Sequence, residues 1–322
     1  MSTQLTEKPI VLLACGGHAF MQRGEQGTIL EQAHNAAIIC RKLLVLVERG
    51  YKLVITHGNG PQVGDLLLLS ESGDPCIPKM PLDVLVAQTQ GSLGYLLQQA
   101  MLNELRCRGI KKIVVTVVTQ VLVDPGDNAF SNPEKPVGPF LSPEVAFQRR
   151  DKLNWKIAED PAGRGWRRLV PSPMPSKVIQ YKTIREAAEA GNIVIAAGGG
   201  GIPIIETAEG SYEGIEAVID KDFTSSVLAA QIGAEIFIIL TEVPYIYCGF
   251  ATPQEKPIHA ITSDKLQDLY ESGEFASGSM GPKVRAVIEF LNRGGKRAMV
   301  TNPAVMEDAL LGKGGTHIIG SY

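Results

Sequence analysis

Apolar residues along this chain fall into two kinds of pattern. Short unbroken runs rich in Val, Ile and Leu predict strands buried on both faces: Ile10–Cys15, Lys52–Thr56, Ile113–Thr119, Ile193–Ala197, Ile236–Thr241 and Ala298–Thr301. Between the runs, apolar residues recur at helical steps. Leu30, Ala33, Ala37, Cys40, Leu44 and Val47 share one face, and Gly50 supplies a stop. A second helix is predicted from about Leu82 to Arg108, closed by Gly109. Strand and helix in alternation predict an α/β fold, with a mainly parallel sheet covered on both sides. In such sheets the functional site lies at the carboxyl ends of the strands.

The alternation breaks between about Pro125 and Pro175. This stretch holds many prolines, few periodic apolar residues and both tryptophans, Trp155 and Trp166. It predicts a small inserted lobe. A long proline-rich insertion in a compact domain is usually functional. The expected organisation is one domain over residues 1–322 carrying a protruding subdomain at about 125–175.

Composition removes several classes of function. The formal net charge is −3, which gives no electrostatic basis for binding nucleic acid or an anionic membrane. No apolar run approaches the roughly 20 residues of a membrane-spanning helix. Met1–Pro9 is short and polar, unlike a signal peptide. The five cysteines are scattered, without a CxxC pair, so neither a zinc site nor a disulfide framework is expected. A reducing cytoplasm is the expected location.

Candidate chemistry concentrates in glycine turns. Gly16-Gly17-His18-Ala19 follows the first predicted strand, His57-Gly58-Asn59-Gly60 the second, and Gly198-Gly199-Gly200-Gly201 the fourth. Gly278-Ser279-Met280-Gly281 is a fourth such turn, expected to follow a strand and to open a helix. Glycine lets backbone N–H groups approach a phosphate, and a helix N-terminus favours the anion. Neither GxxxxGK[ST] nor a well-placed GxGxxG occurs, so the two commonest nucleotide folds lack their motifs. Three lysines stand out: Lys135 in the insertion, Lys221 between Asp220 and Asp222, and Lys283 just after the fourth turn. Phosphoryl transfer asks a protein mainly for positioning and neutralising charge, which lysines supply. No Ser-His-Asp or Cys-His signature supports a hydrolase.

Nine ordered blocks resemble carbamate kinase of the amino acid kinase superfamily: THGNGPQVG (Thr56–Gly64), MPLD (Met80–Asp83), TQGSLGY (Thr89–Tyr95), TQVLVDP (Thr119–Pro125), NPEKPVGPF (Asn132–Phe140), GRGWRRLVPSP (Gly163–Pro173), AAGGGGIP (Ala196–Pro203), EAVIDKDF (Glu216–Phe223) and GSMGPK (Gly278–Lys283). The resemblance implies a three-layer αβα sandwich, a homodimer, and interconversion of carbamoyl phosphate plus ADP with carbamate plus ATP, using Mg²⁺ held with the nucleotide and not by protein ligands alone. It implies that Lys135, Lys221 and Lys283 handle phosphate and that Asp220 positions them. Gly16, Gly17, His18, Gly58, Asn59, Gly60, Asp65, Gly199 and Gly200 would receive the acyl phosphate. Thr241, Tyr245, Gly278, Ser279 and Met280 would border the nucleotide.

The sequence departs from the family pattern at the acceptor end. His18 stands where asparagine is usual, and Asp65 does likewise in the second turn. Leu85, Gln88, Glu242 and Pro244 also differ. A pairing of Asp65 with His18 would hold the imidazole tautomer and raise its pKa. Two other readings therefore stand beside carbamate: another small carboxylate or carbamoyl-type acceptor, and a non-catalytic ligand sensor on the same fold.

Overall fold

A computed structural model describes residues 8–16, 19–22, 24–74, 76–160, 163–276 and 278–320. The first part runs β1 (Ile10–Cys15), α1 (Ile29–Glu48), β2 (Lys52–His57), α2 (Gly60–Ser72), α3 (Leu82–Cys107), β3 (Val114–Val117) and β4 (Gln120–Val123). A lobe follows, made of α4 (Asn128–Ser131), β5 (Lys135–Leu141), α5 (Pro143–Leu153), β6 (Lys156–Glu159) and β7 (Trp166–Val170). The body then resumes with β8 (Pro175–Val178), α6 (Tyr181–Glu189), β9 (Ile193–Ala196), β10 (Ile202–Glu206), β11 (Tyr212–Gly214), α7 (Lys221–Gln231) and β12 (Ile236–Leu240). It closes with β13 (Ile246–Cys248), β14 (Lys256–Ile258), β15 (Ala260–Thr262), α8 (Ser263–Glu271), α9 (Met280–Asn292), β16 (Arg297–Thr301), α10 (Met306–Leu310) and β17 (Thr316–Ile319).

The main sheet has eight strands in the order β15-β17-β16-β12-β1-β2-β9-β3. Its pairs are parallel except β16 with β17. All six predicted runs are strands of this sheet. Strand alternation splits the core in two. Leu12, Ala14, Phe237 and Ile239 face the helices α6, α7 and α9, whereas Val11, Leu13, Ile236 and Ile238 face α1 and α3. The result is three layers. α1 starts where Thr28 and Glu31 form a reciprocal capping box, which fixes the entry of the first predicted helix.

A second sheet, β11-β10-β4-β8, lies beside the first. The Pro125–Pro175 stretch folds as a three-stranded antiparallel sheet, β5-β7-β6, with α5 against it. Its stacking differs in kind from the body. Arg164 and Arg167 lie 4.6 and 5.3 Å from the Phe140 ring centroid. Cation–π pairs thus supply contacts where apolar residues are few.

Candidate active site

Four adjacent strands, β12, β1, β2 and β9, run parallel and end at the same edge of the sheet. Their carboxyl ends bring together Thr241, Gly16, the Gly58–Gly60 turn and the tetraglycine. The fourth glycine turn departs from expectation. It follows α8 instead of a strand, and reaches the same edge because α9 packs beside α7.

The tetraglycine explains itself by geometry. Gly199, Gly200 and Gly201 take φ of 67°, 91° and 87°, a run that side chains disfavour. A Cβ on Gly199 would sit 2.1 Å from Asn59 Nδ2, and one on Gly200 would sit 2.3 Å from the Ile219 carbonyl oxygen. The turn therefore seats directly on the second glycine turn and on the segment leading to Asp220. Buried polar side chains fix this arrangement. Asn59 Nδ2 donates to Thr89 Oγ1 at 2.8 Å. Gln90 exchanges two bonds with the Thr119 backbone, and Thr119 Oγ1 accepts from the Ala197 N–H at 2.9 Å. Thr224 Oγ1 donates to the Gly200 carbonyl at 2.7 Å. Thr89 and Gln90, inside the TQG block, are positioning residues that composition and turn chemistry alone leave unmarked.

Three lysines meet two aspartates at this edge. Asp220 is the N-cap of α7 and accepts from the Asp222 N–H at 2.8 Å. Lys135 reaches in from β5 and donates to the Ile219 carbonyl at 3.1 Å and Asp220 at 3.4 Å. Lys221 contacts Asp222 Oδ1, and Lys283 lies 3.4 Å from Asp222 Oδ2. Lys283 also donates to the Ser279 carbonyl at 3.2 Å. Burial alone would push the Asp220 carboxyl up. The ammonium groups of Lys135, Lys221 and Lys283, with the Asp222 N–H, outweigh it and hold the group well below the usual carboxylate range. Formally, three lysines against two aspartates leave this cluster with one positive charge in excess.

His57 closes β2 beneath these turns. Its Nδ1 donates to the Gly58 carbonyl at 3.0 Å, and its ring meets Phe20 edge-on at 5.3 Å. Burial pushes its pKa down to about 4, against the Gly58 hydrogen bond and helped by Lys221, so the ring stays neutral. Burial likewise pushes the Cys15 thiol up to about 12, which makes it unreactive.

Beside the lysines lies a cleft of about 350 Å³, lined among others by Gly16, Lys221, Thr241, Ser279, Met280 and Lys283. Tyr247, Phe250 and Phe275 add aromatic walls, and Glu242 and Glu274 add carboxylates. Tyr245 is not among the lining residues; it packs edge-on against Tyr247 and His259. Gly278 is exposed outside the lining. Asp65 sits on an exposed position of α2, its carboxyl pushed up by desolvation. Gly17 and His18 lie outside the described residues, and so does any pairing of His18 with Asp65.

A parallel sheet with glycine turns and lysines at one edge defines a phosphate-handling enzyme. The family model described as "Amino acid kinase family" matches residues 9–302, and the chain belongs to that family. Within it, the chain is 46% identical over 310 residues to the carbamate kinase of Pyrococcus horikoshii, covering 96% of this chain and 98% of that protein. The structure of carbamate kinase from Giardia lamblia bound to citric acid superposes with a TM-score of 0.92 at 39% identity, covering 98% of this chain and 99% of that one. The same enzyme bound to AMP-PNP gives a TM-score of 0.90 at 40% identity, with the same coverage.

Proposed function

We propose that the protein is a kinase interconverting carbamoyl phosphate plus ADP with carbamate plus ATP by in-line phosphoryl transfer. The convergence of Lys135, Lys221 and Lys283 on Asp220 and Asp222 carries this reading. It gathers three lysines at one edge of the sheet, and phosphoryl transfer needs such cations because the transferring group spreads its negative charge over three oxygens. The glycine turns, with Gly16, Gly17, His18, Gly58, Asn59, Gly60, Asp65, Gly199 and Gly200, hold the acyl phosphate. The cleft beyond Thr241, Ser279 and Met280 takes the nucleotide, with Tyr245 and Gly278 at its margin. A carbamate oxygen is already a competent nucleophile, so no general base is assigned.

Mg²⁺ enters with the nucleotide in this reading. Among the described residues no three His, Cys, Asp or Glu side chains form a metal-holding group, and Asp220 and Asp222 are engaged by lysines. The ion adds charge neutralisation on phosphate oxygens, which it prefers over all-protein cages.

The enzyme acts as a homodimer in this reading. β3 is an open edge of the main sheet, and exposed apolar residues flank it: Ile113 at 63%, Val118 at 56% and, on α3, Tyr95 at 59%. Among the described residues no helix is long and apolar enough to cross a membrane, which accords with a cytoplasmic enzyme.

The test is a coupled assay of ATP formation from carbamoyl phosphate and ADP. Wild-type turnover in both Lys221→Ala and Lys283→Ala would refute the mechanism. A panel of acyl phosphates, run with His18→Asn and Asp65→Asn, assigns the acceptor. Carbamoyl phosphate is expected as the preferred donor. If another acyl phosphate is preferred and the two substitutions restore carbamoyl phosphate, the acceptor end has changed while the phosphoryl chemistry stays.

A further inference from the structure

Two of the three lysines stand on helices of the body, α7 and α9. Lys135 alone comes from the lobe, so its position depends on how the lobe is held. One carboxylate of the body holds it. Glu71, in the last turn of α2, keeps only 11% of its side-chain surface. Its Oε1 accepts from Trp155 Nε1 at 3.0 Å and from Arg168 Nη1 at 2.7 Å, and its Oε2 accepts from Arg149 Nη1 at 3.2 Å. The two guanidinium groups also lie 5.0 and 4.9 Å from the Trp155 ring centroid. Three side chains from α5, from the connection to β6, and from β7 thus converge on one acceptor.

The hold is transmitted directly to the lysine. Arg168 on β7 pairs with Val137 on β5, and two residues on Val170 pairs with Lys135 itself. At its other end α2 begins at Gly60, with Asn59 of the second glycine turn as its N-cap residue. Midway, α2 touches the lobe backbone to backbone: a Cβ on Gly64 would sit 1.9 Å from Gly138 Cα. α2 is therefore a rod with one end at the acceptor turn and the other in the lobe.

We propose that Glu71 is a positioning residue, a latch that sets Lys135 against Lys221 and Lys283 for phosphoryl transfer. This rests on the reading that Lys135 acts on the transferring group. Removing the Glu71 charge leaves two half-buried guanidinium groups without their counter-charge, and the lobe relaxes outward. The nucleotide cleft, built from the body, is untouched.

The experiment measures kcat and KM for ADP in wild type, Glu71→Gln, Trp155→Phe, Lys135→Ala and the double variant Glu71→Gln/Lys135→Ala. Trp155→Phe removes a single donor and serves as the milder variant if Glu71→Gln folds poorly. Glu71→Gln is expected to lower kcat by about 10- to 100-fold with KM for ADP unchanged, as a small displacement of a charge near the reacting group does. Trp155→Phe is expected to lower it by a smaller factor. In the Lys135→Ala background the same change is expected to cost less than about twofold, because the two act as one unit. Wild-type kcat in both Glu71→Gln and Trp155→Phe, with Lys135→Ala impaired, overturns the latch alone. So does an equal loss with and without Lys135. Wild-type turnover in Lys135→Ala removes the role of that lysine and the proposal with it.

Discussion

The body and the lobe are held together by different physics. The body buries Val, Ile, Leu and Phe on both faces of the inner strands of its sheet, β1, β2, β9, β12 and β16, with Phe237 and Phe290 fully enclosed and their rings 5.4 Å apart. The lobe fully encloses few such residues. It relies on arginines over Phe140 and Trp155 and on a carboxylate borrowed from α2. Hydrophobic burial is non-directional and additive in area, so the body gains stability from apolar side chains of about the right volume, whatever their exact shape. Ion pairs and cation–π contacts are directional and weak individually, so the lobe gains orientation more than stability. That division suits a site in which two lysines are fixed and a third is presented.

Substitutions sharpen the contrast, and the largest effect belongs to the body. Phe237→Ala is expected to lower unfolding free energy by about 3–5 kcal/mol, as large-to-small core changes do, read from denaturant melts. Next comes His57. Its folded-state pKa is depressed from 6.5 to about 4, so the unfolded chain takes up a proton over that range and the folded one does not. Stability therefore falls as pH drops from about 6.5 to about 4, by about 3 kcal/mol in all. His57→Gln should flatten that part of a stability–pH curve, and an unchanged slope would contradict the assignment. Asp220, with its depressed pKa, adds stability that is lost only at lower pH, below its ordinary 3.8.

Gly64→Ala tests the junction of the two regions. The added methyl cannot fit against Gly138, so the lobe must shift. Activity should fall about 100-fold while the melting midpoint of the body barely moves. A folded Gly64→Ala enzyme with full activity would show that lobe placement is irrelevant. Smallest is Phe140→Leu. Loss of its two cation–π partners should destabilise the lobe by about 1 kcal/mol or less, seen as faster proteolysis within residues 125–175.

Much of the body was legible in the sequence because its signals are local. A five-residue unbroken run dominated by isoleucine, such as Ile236–Leu240, is too short for a buried helix and predicts a doubly covered strand, and Gly50 and Gly109 stop helices by their own conformations. The second sheet was not legible. Gln120–Val123 is half exposed and finds its partners at Pro175–Val178 and Ile202–Ile204, far along the chain. The lysines were marked by glycine turns and by family resemblance. The walls of the cleft were not, since Tyr245 and Tyr247 look equivalent in the sequence, yet Tyr245, just before β13, packs on His259 while Tyr247 lines the cleft. Glu71 carried no signal at all. A glutamate near the end of a helix reads as a solvated charge, and only the fold brings three donors to it.

Both tryptophans of the chain, Trp155 and Trp166, belong to the lobe. Intrinsic indole emission from this protein is therefore a local optical probe. Its intensity and wavelength follow the packing of about fifty residues around the latch, while the sheet that carries most of the stability contributes no indole emission. A fluorescence melt and a far-ultraviolet dichroism melt of the same sample watch two different regions, and any separation between their midpoints is a direct reading of how tightly the lobe is coupled to the body.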